Sequence, residues 1–267
     1  MPLLPLQLQG MLAGAHPDWQ PVLLRGLQAV AAAQPEYLPA LLDSAFLPTE
    51  GRLLAAFSQP LANVRYVLIG EGPYPRAASA TGLCFMDGAV GSLWSASGLS
   101  KAINRATSLR NFMKMLLVAD GRLAPDHTAG DALVHVATAA AAPESALIQT
   151  LAQLQENLLG NGFLLLNAAL VFRPDVPPVK DARAWQPFMD VILTALANAA
   201  ATSGQIAPTL VLWGKIAAQI EALPASLQFP KAVAEHPYNL TFITNVPMQT
   251  LFRPMRLLLR TADRFLI

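Results

Sequence analysis

The stretch Val64-Arg65-Tyr66-Val67-Leu68-Ile69 runs directly into Gly70-Glu71-Gly72-Pro73-Tyr74-Pro75. The first six residues are mostly aliphatic or aromatic, which predicts a buried β-strand, and the next six are typical of a turn. Open α/β sheets bind ligands beyond the carboxyl ends of their parallel strands. Glycine lets the backbone approach a ligand closely, and proline fixes φ and stiffens the turn. The stretch therefore predicts a strand that ends at a binding site.

Three more short apolar runs predict buried strands, namely 163–166, Thr209–Trp213 and 232–235. Helical apolar spacing predicts helices over 23–33, 37–47, 52–57, 109–119, 144–159, 185–198 and 215–222. Such alternation is typical of a parallel sheet that is covered on both faces. We therefore expect an α/β fold with three layers, α/β/α, around a central four-stranded parallel sheet. Residues 1–267 are expected to form a single domain with a helical prelude over about residues 1–60.

Two segments lie outside this alternation. Residues 88–106 are rich in glycine and serine, which predicts an insertion or a mobile loop. After Asn245, four arginines stand among leucines and predict a basic amphipathic helix; they are Arg253, Arg256, Arg260 and Arg264.

The composition excludes several classes of protein. Hydrophobic residues make up 54% of the chain and charged residues 13%, so the bulk of the chain is not disordered. The net charge is only +1, so any contact with nucleic acid depends on a local basic surface or on backbone amides. The single cysteine, Cys84, excludes an internal disulfide, a cysteine-held iron–sulfur cluster and a multi-cysteine zinc site. This cysteine usage, with no lysine or arginine in the first fifteen residues, predicts a cytoplasmic protein without a signal peptide. The charge-free stretch 191–214 is interrupted by residues 202–205 and by Pro208, which predicts a helix, a turn and a strand rather than a membrane span.

Each predicted strand is followed by residues that can contact a ligand: Glu71, Tyr74 and then Phe85 after the first, Asn167 after the second, Gly214-Lys215 after the third and His236 after the fourth. An aromatic face, an amide that donates and accepts hydrogen bonds, and a histidine predict a pocket for a planar heterocycle. Each residue also has a structural interpretation: the asparagine as a turn residue, the histidine as a hydrogen-bonded core residue, and the rings as packing. Four strand ends at one edge of a sheet favour the pocket.

Seven short motifs follow in order between Val64 and Thr241. They are Gly-Glu-Gly-Pro-Tyr-Pro (70–75), Gly-Leu-Cys-Phe (82–85), Thr-Ser-Leu-Arg-Asn (107–111), Leu-Leu-Leu-Asn (164–167), Lys-Asp-Ala-Arg-Ala-Trp (180–185), Leu-Trp-Gly-Lys (212–215) and His-Pro-Tyr-Asn-Leu-Thr (236–241). With these motifs the chain resembles the uracil-DNA glycosylase superfamily, in particular its major uracil-excising branch. Any one motif is weak evidence, but seven in the same order are strong.

The first motif departs from that branch. The family's water-positioning aspartate falls on Gly72, its neighbouring histidine on Pro75 and its glutamine on Glu71. A serine of the family is replaced by Lys215, and a long insertion precedes Ser108. Thermophile-type members of the superfamily carry a catalysis-linked glutamate at the position of Glu71, but they also carry a four-cysteine iron–sulfur cluster. The chain thus resembles a major-branch scaffold with a thermophile-type acid.

The resemblance implies a DNA N-glycosylase that acts on uracil, or on a related deaminated base, flipped out of DNA. It assigns catalysis to Glu71 and to His236, which would stabilise the negative charge that develops on uracil O2. It also assigns substrate binding to three residues. Phe85 would stack on the uracil ring, Asn167 would form hydrogen bonds with the polar edge of uracil, and Tyr74 would exclude the methyl group of thymine. No metal or cofactor is implied.

The resemblance also assigns contacts with DNA. Four positions would hold phosphates, namely Ser108, Gly214, Lys215 and Thr241. The side chain of Leu240 would fill the space that the flipped base leaves.

Two other functions come into question. The first is a catalytically inactive member that still binds DNA or a base, which Gly72 favours. The second is a nucleotide-binding Rossmann enzyme, because Gly70 and Gly72 follow a strand. It is disfavoured because Pro73 and Pro75 remove amides that a bound phosphate needs.

Overall fold

A computed structural model of the chain describes residues 4–263. The strands in this part of the chain are β1 (Tyr66–Gly70), β2 (Trp94–Ser95), β3 (Gly98–Leu99), β4 (Phe163–Asn167), β5 (Thr209–Trp213) and β6 (Lys231–Ala234). Four of them form one sheet in the order β4-β1-β5-β6, while β2 and β3 form a separate antiparallel pair.

The helices are α1 (Leu6–Leu12), α2 (Gln20–Ala33), α3 (Tyr37–Leu42), α4 (Lys101–Arg105), α5 (Thr107–Ala119), α6 (Asp131–Ala141), α7 (Leu151–Gly160), α8 (Pro178–Thr202), α9 (Ile216–Glu221) and α10 (Val246–Phe252). Short 3₁₀ turns complete the described chain, among them Arg52–Phe57, Leu240–Thr244 and Arg253–Met255. No helix within residues 4–263 is both long and apolar enough to cross a membrane.

The sheet confirms the predicted fold class, a central four-stranded parallel sheet with flanking helices. Strand β1 pairs in parallel with β4 on one side and with β5 on the other. Its residues Val67, Leu68 and Ile69 are fully buried. A continuous apolar run is what a parallel strand needs when helices cover both faces of the sheet.

The chain divides into two compact units, each built from two segments. Unit 1 is Met1–Cys84 with Gly162–Lys231, and unit 2 is Phe85–Asn161 with Ala232–Ile267. The single domain expected from the sequence stays a prediction.

In unit 1, helices α2 and α8 pack against each other. Gly26 lies so close to Phe188 that a β-carbon on the glycine would stand 2.6 Å from the ring. Helix α8 begins at Pro178, whereas the sequence predicted a start at Trp185. Proline fits the first turn of a helix because its missing N–H has no partner there, and the helix also continues through Pro187.

In unit 2, the structure differs from the sequence analysis at three places. The segment 88–106 contains the β2–β3 pair and α4, with Gly98 at φ +119° at the start of β3. The indole of Trp94 donates to Ile148 O at 2.7 Å. The helix predicted over 144–159 begins at Leu151, because Thr150 caps it reciprocally with Gln153. Helix α6 lies in a stretch for which no helix was predicted.

The predicted basic helix after Asn245 is also shorter than expected. Helix α10 ends at Phe252, and Arg256 takes a left-handed conformation with φ +46°, which no continuing α-helix accommodates. The last arginine of the predicted helix, Arg264, lies outside the described residues.

Candidate functional site

The carboxyl ends of β1, β4 and β5 lie at one edge of the sheet of unit 1. Gly70 is the register partner of Asn167. Beyond the strands the two chain segments stay paired, since the N–H of Ala168 donates to Gly70 O at 2.8 Å and that of Ala169 donates to Glu71 O at 3.1 Å. The backbone of the first motif is therefore fixed directly to the residues that follow β4.

The side chain of Asn167 has an unsatisfied acceptor. The residue is 2% exposed, and its Oδ1 atom has no hydrogen-bond partner within residues 4–263. A buried polar atom without a partner costs about 1–3 kcal/mol, which a bound ligand with a suitable donor offsets. A turn residue would instead bond its oxygen to nearby backbone. The geometry therefore favours the ligand-binding interpretation of Asn167.

Gly70 makes room for this amide. A β-carbon at Gly70 would stand 2.8 Å from Asn167 Oδ1 and 2.8 Å from Cys84 Cβ. Real β-carbons do not approach so closely, so both the amide and the cysteine depend on a glycine here.

Cys84 fastens the Gly-Leu-Cys-Phe motif to the sheet. Its N–H donates to Leu165 O at 3.2 Å, and its thiol donates to Leu68 O at 3.1 Å. Burial raises the pKa of the Cys84 thiol far above its ordinary value. Because a protonated thiol is a poor nucleophile, Cys84 is a structural residue.

Glu71 and Gly72 are both exposed. The backbone at Gly72 is outside the left-handed region, and a β-carbon there would have ordinary contacts of 3.7 Å to Ala169 O and 3.8 Å to Ala169 Cβ. The position at which the resembled branch has an aspartate therefore accepts a side chain without strain.

A cavity of about 550 Å³ opens beside these residues in unit 1. Its wall includes Glu71 to Pro73, Arg173, the first turns of α8 and Lys215. Arg173 is fixed by Asp181, with Nη2 donating to Oδ1 at 2.6 Å and Nε to Oδ2 at 3.2 Å. The hydroxyl of Tyr37 donates to the same carboxylate at 2.7 Å, and burial, together with that carboxylate, raises the pKa of the Tyr37 phenol.

In unit 2, Phe85 and His236 are neighbours. Their ring centroids are 6.0 Å apart and the rings are inclined by 38°. Phe85 has φ +59°, which is uncommon for a residue with a β-carbon, and such strained residues cluster at functional sites. The local backbone therefore presents this ring at an energetic cost.

The turn after β6 determines which nitrogen of His236 can donate. Its Nδ1 accepts the N–H of Tyr238 at 3.1 Å. In a neutral imidazole the proton then resides on Nε2, which leaves Nε2–H as a donor.

The buried side-chain amide of Asn111 stabilises the same turn. Asn111 Nδ2 donates to Pro237 O at 2.7 Å and lies 3.4 Å from the carbonyl oxygens of Tyr238 and Asn239. Asn111 stands on α5, three residues after Ser108. The sequence placed Asn111 in a motif but gave it no role, because its partners are 126 to 128 positions away.

The remaining predicted residues lie near these two groups of residues, each within its own unit. In unit 1, Tyr74 is half-buried in the first motif, and Gly214, at φ +74°, and exposed Lys215 follow β5. In unit 2, exposed Leu240 and Thr241 open the 3₁₀ turn Leu240–Thr244.

The chain is similar over 97% of its length to a solved structure. The crystal structure of wild-type UNG from Nitratifractor salsuginis matches it with a TM-score of 0.85 and 38% sequence identity, over 97% of this chain and 100% of that one. This chain belongs to the uracil-DNA glycosylase superfamily. A point mutant of the same UNG matches with a TM-score of 0.84 at 39% identity, over 96% and 100% of the two chains.

Two more distant relatives agree with this membership. Uracil-DNA glycosylase of Mycobacterium avium is 26% identical over 231 residues, which are 85% of this chain and 82% of that protein. The enzyme of Mycobacterium tuberculosis is 26% identical over 196 residues, or 73% and 68% of the two chains. No family model matches the chain.

The sequence alone missed two contacts in this uracil-DNA glycosylase fold. Asp181 belongs to the matched Lys-Asp…Trp motif, but the motif does not reveal that its partners are Arg173 and Tyr37. Only the folded chain shows that Asp181 is 1% exposed, and a buried acid requires such partners.

Proposed function

We propose that this chain is a DNA N-glycosylase that hydrolyses the N-glycosidic bond of a uracil flipped out of DNA. The unsatisfied, buried Oδ1 of Asn167 is the observation that carries the proposal. The N3–H of uracil supplies the missing donor, and uracil O4 accepts from the amide N–H. Superfamily membership supports the same substrate, because the relatives named above are uracil-DNA glycosylases.

The target base must leave the duplex, because the glycosidic bond cannot be reached within the stack. Leu240, which is exposed, fills the vacated space. Phe85 stacks on the extruded ring, and Tyr74 stands against C5, so that the methyl group of thymine is rejected.

His236 stabilises the departing base. As the bond between C1′ and N1 breaks, its electron pair moves onto uracil and negative charge develops on O2. The Nε2–H of a neutral His236 donates to this oxygen, which is stabilisation of the transition state by a fixed donor. Because the N–H of Tyr238 occupies Nδ1, the ring nitrogen that donates is Nε2.

Glu71 takes the part of the absent aspartate. Its carboxylate orients a water molecule and accepts a proton from it as the water oxygen bonds to C1′. Glu71 is exposed and Gly72 has no side chain, so we expect slow turnover.

Four residues bind phosphates of the DNA backbone, and these contacts do not depend on the base sequence. They are Ser108, Gly214, Lys215 and Thr241.

The second candidate is a member that binds DNA or a flipped base without cleaving it. Gly72 is the observation that favours it, since no carboxylate stands at that position.

A glycosylase assay separates the two functions. Oligonucleotides that differ only in one base, uracil, hypoxanthine or thymine, are incubated with excess protein, and free base and electrophoretic retardation are both measured. Release of uracil but not of thymine supports the enzyme, and release of hypoxanthine would extend the substrate to other deaminated bases. Retardation without release of any base supports the binding protein.

A further inference from the structure

The turn after β6 carries two large exposed side chains, although only one has a role so far. Tyr238 and Leu240 are each 68% exposed. Within residues 4–263, the ring of Tyr238 has no aromatic neighbour and its hydroxyl has no hydrogen-bond partner. Only its backbone is bonded.

That backbone is firmly held. Asn239 N donates to His236 O at 2.9 Å, which closes a β-turn with Pro237 and Tyr238 at its centre. The N–H of Tyr238 is bonded to the His236 ring, and its carbonyl faces the buried amide of Asn111. The tyrosine therefore projects from a rigid turn, and binding through its ring needs little ordering of the chain.

We propose that Tyr238 stacks on a base of the DNA strand, beside the position that Leu240 fills. This inference rests on the proposed function. Residues two positions apart are separated by at most about 7 Å. Bases along one strand are spaced by about 3.4 Å, so Tyr238 lies within about two base steps of Leu240.

Stacking on a base is the chemistry that this side chain offers. A tyrosine ring provides a rigid flat face, and every base has a π-face, so the contact tolerates any sequence. The ring carries no charge and adds no contact to a phosphate. It follows that Tyr238 strengthens binding without changing its dependence on salt.

Tyr238 and Leu240 are thus expected to contribute differently to single-stranded and duplex DNA. Leu240 fills a gap that exists only in a duplex, so Leu240→Ala weakens action on duplex DNA far more than on single strands. Bases of a single strand are already available for stacking, so Tyr238 contributes to binding of single strands as well as of duplexes.

The test compares Tyr238→Ala, Tyr238→Phe and Tyr238→Trp with the parent protein. Dissociation constants are measured for a uracil-containing single strand and for the matching duplex over a range of salt concentrations. Val246→Ala, at a residue 67% exposed in the same unit, is the matched control, and thermal melting verifies that each variant is folded.

We expect Tyr238→Ala to bind both substrates about 5- to 150-fold more weakly, as the loss of one base–aromatic stack predicts. The Phe and Trp variants should stay within about twofold of the parent or bind more tightly, with an unchanged salt slope. The inference is overturned if the parent binds DNA and Tyr238→Ala binds equally well, or if Tyr238→Phe loses as much as Tyr238→Ala. A parent that neither binds nor cleaves uracil-containing DNA would instead overturn the proposed function itself.

Discussion

Gly70 and Asn167 are register partners at the ends of neighbouring strands, and the amide oxygen of Asn167 lies 2.8 Å from the point that a β-carbon on Gly70 would occupy. The amide of Asn167 can thus keep its position only because residue 70 has no side chain. A methyl group at Gly70 would stand too close to both the amide and Cys84, each of which is buried.

Gly70→Ala is therefore expected to lower the free energy of unfolding by about 1–3 kcal/mol, the usual cost of overpacking, and to abolish uracil excision. Denaturant unfolding and single-turnover assays measure the two effects. Gly160→Ala is the control, because a β-carbon at Gly160 meets no atom within 4 Å. If Gly70→Ala excises uracil at the parental rate, Asn167 does not depend on this glycine.

Asn167→Ala should abolish the preference for uracil. A buried site that hydrogen-bonds one edge of a base rejects analogues that leave its polar groups unpaired, by a factor that reaches about 10⁴. The measurement is the ratio of single-turnover rates on uracil- and thymine-containing strands. A variant that keeps the parental ratio would show that Asn167 is only a turn residue.

Asp181→Asn should destabilise unit 1, because it leaves the guanidinium of Arg173 without its ion-pair partner. The side chains of Arg173 and Asp181 are 13% and 2% exposed, so the pair is partly buried and the loss is expected to stay below the about 3–5 kcal/mol of a fully buried pair. Urea unfolding tests this, with Asp175→Asn as the control at an exposed carboxylate of the preceding loop. Equal stabilities of the two variants would contradict the structural role of the pair.

Gly72→Asp should raise the rate of uracil excision. The position accepts a β-carbon without strain, and a positioned acid or base is worth about 10²–10⁴ in rate. Gly72→Asn has nearly the same shape without the charge and should leave the rate unchanged. An aspartate variant no faster than the asparagine variant would mean that a carboxylate at position 72 cannot reach the water.

The sequence predicted best where burial alone decides the structure. Strand β5 was predicted with its observed bounds, because Leu210, Val211 and Leu212 are fully buried and read as one apolar run. Helix α8 was predicted too short because prolines usually end helices, yet here Pro178 occupies the first turn and the packed helix tolerates Pro187. The β2–β3 pair escaped prediction because two-residue strands have no periodicity to detect.

The contacts that define the site could not be predicted from the sequence for a different reason. The motifs identified Asn167 and His236 as candidates, but the unpaired oxygen of the first and the occupied Nδ1 of the second depend on the folded backbone. Asn111 likewise stabilises the turn at Pro237 across a large separation in sequence, and no local pattern encodes such a partner.

Whether the chain is an enzyme is tested most directly by the release of free uracil under single-turnover conditions. The parent protein and Glu71→Gln are compared on the same uracil-containing strand. We expect slow release by the parent and a rate about 10²–10⁴ lower for Glu71→Gln, since the amide cannot accept the proton of the attacking water. An equal rate for the two proteins would contradict a catalytic Glu71. No release by either protein, with binding of the strand retained, would contradict the proposal that this chain is an enzyme.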